Sequence, residues 1–370
     1  VQFTTVDLLL EMDLFESRVL KPMMAAVGNR IDSDGLFFAY QNTAQFQGTP
    51  GVGLTSFKSF SDSKAVMVYE AAPKGEQPVV IVDPLTSSSM ADSLKGLFNP
   101  QRQLSSNYEQ GAIAAKTAGF DWYEDQNIAT WTTGAQGGTP VLAGATSVAG
   151  GTALLASGWA QSGTFETTGW TASTGVITVG DVLQIKGVYP VNPQNRAQYG
   201  RTLKQFVVIP PAGYAQIVGG AAAGGPIFAA ATLANGTFNA TTGVYTSGSG
   251  AGALTIYVKE CLIYGGQFQN VSNAPVSTYT VTVNGGTGNA TQVSSQNIAM
   301  YRDAFALAFA DLPLPRGVAM AAARANDDEA GISIRMVTQY TINNDAEPTR
   351  ADVLYGWSGL YPQQAVRIGG

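Results

Sequence analysis

The sequence predicts an α+β protein into which an all-β domain has been inserted, and three observations lead there. Charge is unevenly spread over the 370 residues: 1–134 hold 15 acids and 9 bases and 301–370 hold 8 and 6, but 135–300 hold only Glu166, Asp181, Glu260, Lys186, Arg196, Arg201, Lys204 and Lys259. That middle stretch also contains 27 of the 43 glycines. Hydrophobic spacing changes as well, from helical near the start to alternating near the end.

Asp13, followed three positions later by Glu16, forms an N-cap with its capping-box partner. Phe15, Val19, Met23, Val27 and Ile31 follow at helical spacing, flanked by Leu20 and Met24. A helix of about six turns is expected, bent at Pro22. Val79-Val80-Ile81-Val82, bounded by Pro78 and Pro84, reads as a short buried strand. A second helix is expected over Ser88–Phe98, where Met90, Leu94 and Phe98 share a face.

Residues 135–300 read as short strands joined by Gly/Asn/Thr turns: Val176–Val179, Phe206–Ile209, Leu254–Val258 and Tyr279–Val283. A third helix is expected over Ile298–Ala310, rich in Ala and Phe and stopped by Pro313 and Pro315. Period two then takes over. Ile332, Ile334, Met336, Thr338, Tyr340 and Ile342 form a face expected to pack, against a wet face of Ser333, Arg335, Gln339 and Thr341 on which Val337 is the lone apolar exception. The Asn343–Pro348 turn returns the chain through Ala351, Val353, Tyr355 and Trp357, completing a long hairpin.

Several chemistries are excluded or weakened by composition. Histidine is absent, which removes the usual general base and the commonest metal ligand together. Cys261 is the single cysteine, so no intramolecular disulfide or thiolate zinc site forms. No Gly-Lys-Ser/Thr ends a P-loop. Gly356-Trp357-Ser358-Gly359 is one residue short of a nucleophile elbow and reads as a strand end or turn.

Asp32-Ser33-Asp34 and Asp327-Asp328-Glu329 lack calcium-loop spacing and read as solvated. Asp121, Glu124 and Asp125 beside Trp122 and Tyr123 admit a carboxylate-pair reading, but a local structural role is favoured. No cofactor is called for. Val141–Ala160 has the length of a membrane span but is crowded with Gly, Ser and Thr, so it reads as loop and short strand.

The net charge of −6 argues against a protein that grips phosphate over its whole surface. The last seventy residues carry six arginines and no lysine, and arginine's rigid fork suits carboxylate pairs across a subunit seam. Arg335, Asp345, Glu347, Arg350 and Asp352 are the candidate intersubunit contacts.

A succession of short words resembles the major coat proteins of tailed double-stranded-DNA bacteriophages, specifically the short-tailed P-twenty-two type. They are Asp13–Pro22, Asn29–Asp32, Gly48–Gly51, Lys95–Asn99, Gly119–Glu124, Gly180–Ile185, Arg302–Ala308, Ser333–Arg335 and Arg350–Gly356. The resemblance implies the Hong Kong ninety-seven capsid fold. Residues 1–74 would give the spine helix and peripheral elements, 75–134 the axial domain, 135–300 the inserted β-domain, and 301–370 the peripheral hairpin and the return to the axial domain.

It also implies a non-enzymatic shell protein of the virion capsid, assembled in the host cytoplasm. The partners implied are itself as pentamers and hexamers, a scaffolding protein, a portal, a possible decoration protein and encapsidated DNA held non-specifically; no membrane is implied. Family members begin with an arm and loop ahead of the spine helix, so upstream residues are expected to have been cleaved or to lie outside this sequence. Composition alone offers one competitor, a secreted β-rich adhesin or surface-layer protein. Gly/Thr/Asn texture and sequons at Asn235, Asn239, Asn270 and Asn289 favour it; the expected helices and the lack of a signal-peptide pattern oppose it.

Overall fold

Lys21–Asn42 forms one long helix, α1, in a computed structural model that describes residues 2–4, 21–73, 75–94, 116–117, 119–143, 153–200, 202–211, 233–283, 291–315, 320–327, 332–343 and 346–370. The Asp13 cap lies outside the described residues. The helix continues past Ile31 to Asn42, where the Asn42 side-chain amide donates to the Phe38 carbonyl and the Thr43 hydroxyl to the Ala39 carbonyl, both at 2.8 Å. These side chains back-bond onto carbonyls of the last turn, and the Ala39 carbonyl also accepts the Thr43 amide at 3.1 Å.

The chain divides into two compact units, Val1–Gly35 with Phe305–Leu360, and Leu36–Ala304 with Tyr361–Gly370. In the first, an antiparallel sheet runs in the order Gln2–Thr4, Ala346–Asp352, Ile332–Gln339, Met320–Asp327. Phe305–Ala310 pairs separately with Leu354–Gly359.

Three expectations are corrected here. The region 298–310 is not a helix: Val293–Met300 and Phe305–Ala310 are strands divided by a turn. Its Ala and Phe content favours helix, but Ile298–Met300 lies between two other strands, and ladder pairing overrides propensity. The long hairpin also breaks, at Val353. Its return arm pairs with Arg335–Thr338 over Thr349–Asp352, and beyond Val353 it pairs with Phe305–Ala310 while Tyr355 and Trp357 meet α1. Tyr355 donates its hydroxyl to Asp34 at 2.5 Å, and a Cβ added to Gly35 would come within 2.3 Å of the Trp357 ring.

The faces of the hairpin do not divide as expected either, with Ile332, Ile334, Met336 and Thr338 only half-buried. Ser333 and Val337 are buried, whereas Tyr340 is 43% exposed and Ile342 81%. The physical reason is visible on the polar side, where Arg335 donates to the Pro313 carbonyl and to Asp352 and so holds that side covered.

In the second unit, strands run Phe46–Gly48, Ala365–Gly369, Val293–Met300, Val79–Val82, Phe120–Glu124, Lys116–Thr117, with Thr130–Thr132 also pairing the start of Val293–Met300. The Val79–Val82 strand is found as expected. The second helix, α3, spans Pro84–Leu94, starting earlier than expected because Pro84 pre-sets its first turn; Lys95–Phe98 lie outside the described residues.

Between them in chain order, the unanticipated helix α2, Lys58–Tyr69, buries Phe60, Ser63 and Met67. Phe60 and Met67 join Val80, Val82, Met90, Phe120, Ala299, Val366 and Ile368 in one core. Asn297 is buried in the central strand without penalty: its Oδ1 accepts from the Asp83 amide at 2.8 Å and its Nδ2 donates to the Ile368 carbonyl at 3.2 Å.

Strands between Gly138 and Val283 enclose a separate core that includes Phe165, Trp170, Ile177, Leu183, Phe206, Tyr245, Ile256 and Leu262. Leu254–Val258 matches the expected strand in full, and the strands Gly175–Thr178, Gln205–Val207 and Val281–Val283 overlap their expected positions. Val141 and Leu142 end a strand, Gly138–Leu142, and among the described residues no helix is long and apolar enough to cross a membrane.

Candidate intersubunit surface

The antiparallel register places Arg335 opposite Asp352 on neighbouring strands. Arg335 meets the Asp352 carboxylate at 2.5 Å, and Arg350, two residues before Asp352 on the same strand face, meets it through Nε at 2.8 Å and Nη2 at 2.9 Å. Partial burial pushes the Asp352 carboxyl up, but hydrogen bonds from Arg335 and Arg350, with their charges, outweigh it and hold the group below its ordinary value. The Arg335 and Asp352 side chains are mostly covered; that of Arg350 is 71% exposed.

Three of the five candidate contacts thus form one cluster within the chain, with two cations sharing one anion and the outer cation turned to solvent. Glu347 stands apart at the other end of the Ala346–Asp352 strand, opposite Phe3 of the edge strand Gln2–Thr4. Asp345 lies outside the described residues.

The other sequence candidates acquire local roles. Asp34, expected to be solvated, is instead buried within α1, where it accepts from Tyr355 and meets Arg30 at 3.2 Å. Glu124 accepts from the Ser87 hydroxyl and Asp125 accepts from the Asn127 amide. Ser358 lies within a strand, not on an elbow. Asn270, one of the sequons, binds the Cys261 carbonyl and the Ile263 amide. Among the described residues no cluster of acidic and thiol groups is arranged to hold a metal.

Sequence reasoning missed the buried charges that join the 138–283 strands to the neighbouring sheet. Lys204 meets Glu260 at 3.2 Å and Glu70, at the end of α2, at 3.5 Å, while Tyr199 donates to Glu70. Nearby, Arg367 is completely buried in the strand Ala365–Gly369. Its guanidinium carbon lies 5.9, 5.7 and 5.5 Å from the ring centres of Tyr40, Phe46 and Trp131.

Asp181, also completely buried, accepts the Thr178 amide at 2.7 Å and the Gly134 amide at 3.2 Å through Oδ2. Burial pushes its carboxyl up to about 7, against the pull of those amides and of the Arg367 charge. The available signals were an arginine within the apolar run Ala365–Ile368 and a lone acid in a charge-poor stretch.

The sequence model of the P22 coat protein, gene protein 5, matches residues 11–221. The chain belongs to the P22 coat protein family. It is accordingly a phage major capsid protein, a structural component of the virion assembled in the host cytoplasm. No curated protein matches the chain. The matched stretch of the coat protein includes α1, α2, α3 and Asp181 and ends before the Arg335–Asp352 cluster.

Proposed function

We propose that this coat protein assembles as pentamers and hexamers into the icosahedral head that encloses double-stranded phage DNA, on a Hong Kong ninety-seven-type fold. The family match over 11–221 carries the reading. In it, α1 is the spine helix, the strands Ile332–Gln339 and Ala346–Asp352 are the peripheral ribbon, the sheet around Val293–Met300 is the axial domain, and the strands between Gly138 and Val283 are the inserted β-domain.

Many weak, repeated contacts close such a shell, because their free energies accumulate with valency. Arg335, Asp345, Glu347, Arg350 and Asp352 are proposed as intersubunit contacts, supported by the solvent-facing Arg350 and the exposed Tyr340 and Ile342. Scaffolding protein and portal are the assembly partners, and a decoration protein is a further one. The net charge of −6 suits a container whose wall does not bind the packaged DNA tightly. Electron microscopy of the full chain expressed with its scaffolding partner tests this: closed shells are expected. Discrete monomers that never close, or tight DNA binding by isolated capsomers at physiological salt, would overturn it.

A further inference from the structure

Helix α2 ends on a left-handed residue that is not glycine. The Ala71 amide donates to the Val68 carbonyl and the Ala72 amide to the Met67 carbonyl, both at 3.1 Å, and this pair of bonds needs a left-handed residue just past the helix. Ala71 fills that place with a φ of 62°, where glycine is usual and a Cβ is strained. The Tyr69 carbonyl takes a donor from farther away in the chain, the Asn192 side-chain amide at 2.8 Å.

Asn192 opens a loop, 191–199, that is tightly bonded to itself. Its amide donates to the Ala197 carbonyl at 2.9 Å, the Arg196 amide to the Asn192 carbonyl at 2.8 Å and the Tyr199 amide to the Pro190 carbonyl at 3.2 Å. Asn192 Oδ1 accepts from the Gln194 and Asn195 amides at 2.8 and 3.3 Å, so one side chain closes the loop through its oxygen and holds the helix through its nitrogen. At the far end of the loop the Tyr199 ring stacks on Tyr69 with centres 4.8 Å apart, and its hydroxyl donates to Glu70. Residues 193–198 are exposed, and among the described residues 192–199 add no side chain to either neighbouring core. Polar contacts at the rim of two cores are the ones that open at the lowest free energy.

We infer that loop 191–199 and the strained last turn of α2 form one clip, which closes and opens as a unit while both cores stay folded. Each half depends on the other. The bonds from Asn192 and Tyr199 offset the strain at Ala71, and without them the turn relaxes and frays; without the turn, the Tyr69 carbonyl and Glu70 are no longer presented to the loop. Lys204, buried against Glu70 and Glu260, is the floor on which the clip closes. The clip is a property of the single chain and does not depend on shell formation.

Hydrogen exchange of the full chain at low urea concentrations, resolved to single amides and corrected for intrinsic rates, tests the clip. The Ala71, Ala72, Arg196 and Tyr199 amides should share one opening equilibrium that changes little with urea. Amides of Val79–Val82 and Leu254–Val258 should open less and respond to urea steeply. Ala71→Gly acts on the helix side alone, yet it should lower the opening of the Arg196 and Tyr199 amides about threefold, by the same factor as at Ala72. Tyr199→Phe, which keeps the ring and removes the donor, should raise the opening on both sides about tenfold. Separate opening equilibria for the two sides in the wild type, or a urea response as steep as that of the cores, overturn the clip even if neither variant folds. So does an effect of Ala71→Gly confined to the helix end, or an unchanged opening in Tyr199→Phe.

Discussion

Replacing Lys204 by Met removes a cation held between Glu70 and Glu260 while keeping most of the side-chain volume. The two contacts, at 3.2 and 3.5 Å, are each about 5 kcal/mol in gross Coulomb terms at an effective dielectric of about 20. Most of that is already offset by the desolvation of the three charges. What the substitution exposes is the cost of leaving Glu70 buried against Tyr199 with its cation gone, about 3–5 kcal/mol for breaking a buried pair.

Burial alone would lower the Lys204 pKa, but the charges of Glu260 and Glu70 and their hydrogen bonds raise it above its ordinary value. Its contribution is therefore full below about pH 10 and lost only above. The destabilisation should be the same at pH 6 and pH 9. Urea unfolding of the full chain, with the slope unchanged, reads it. Adding Glu70→Gln to the variant should recover part of the loss, as expected for coupled neighbours. A loss below about 1 kcal/mol, the range of an exposed pair, would refute the argument and mean that water reaches the cluster.

Phe206→Ala removes a fully buried ring that stands edge-on to Phe165 at 5.6 Å, and urea unfolding should show a loss of about 3–5 kcal/mol. Asp352→Asn should remove the acid-limb fall of stability below about pH 4, because the wild-type carboxyl is depressed and its contribution is lost as pH falls through its folded value; thermal unfolding between pH 2.5 and 6 checks this. Gly35→Ala should cost about 1–3 kcal/mol by driving a methyl into the Trp357 ring, and should shift the tryptophan emission.

The strands Val79–Val82 and Leu254–Val258 were legible because their own composition and flanking turns specify them. The stretch 298–310 was not, since Ala and Phe suit both structures and only the partners of Ile298–Met300 decide between them. Even so, Phe305, Leu307 and Phe309 alternate, a period-two signal that helix propensity concealed. The hairpin pattern gave a correct strand but not the division of its faces, because alternation says that two faces differ but not how far each is covered within a single chain. Arg335 and Asp352 could be paired from the turn between them, whereas Asp181 and Arg367, far apart in sequence, meet only through tertiary packing.

The path between Thr132 and Val293 has its two feet stitched together: Thr130–Thr132 and Val293–Ser295 run antiparallel, rung against rung. Whatever length of polypeptide lies beyond that stitch, its ends start and finish at the same spot on the sheet. Since closing a loop costs only about 0.6 kcal/mol more for each doubling of length, the stitch forms a natural splice point. A foreign domain with adjacent termini, grafted there in place of the native excursion, would disturb the remainder chiefly through the lost seam and hardly through its size.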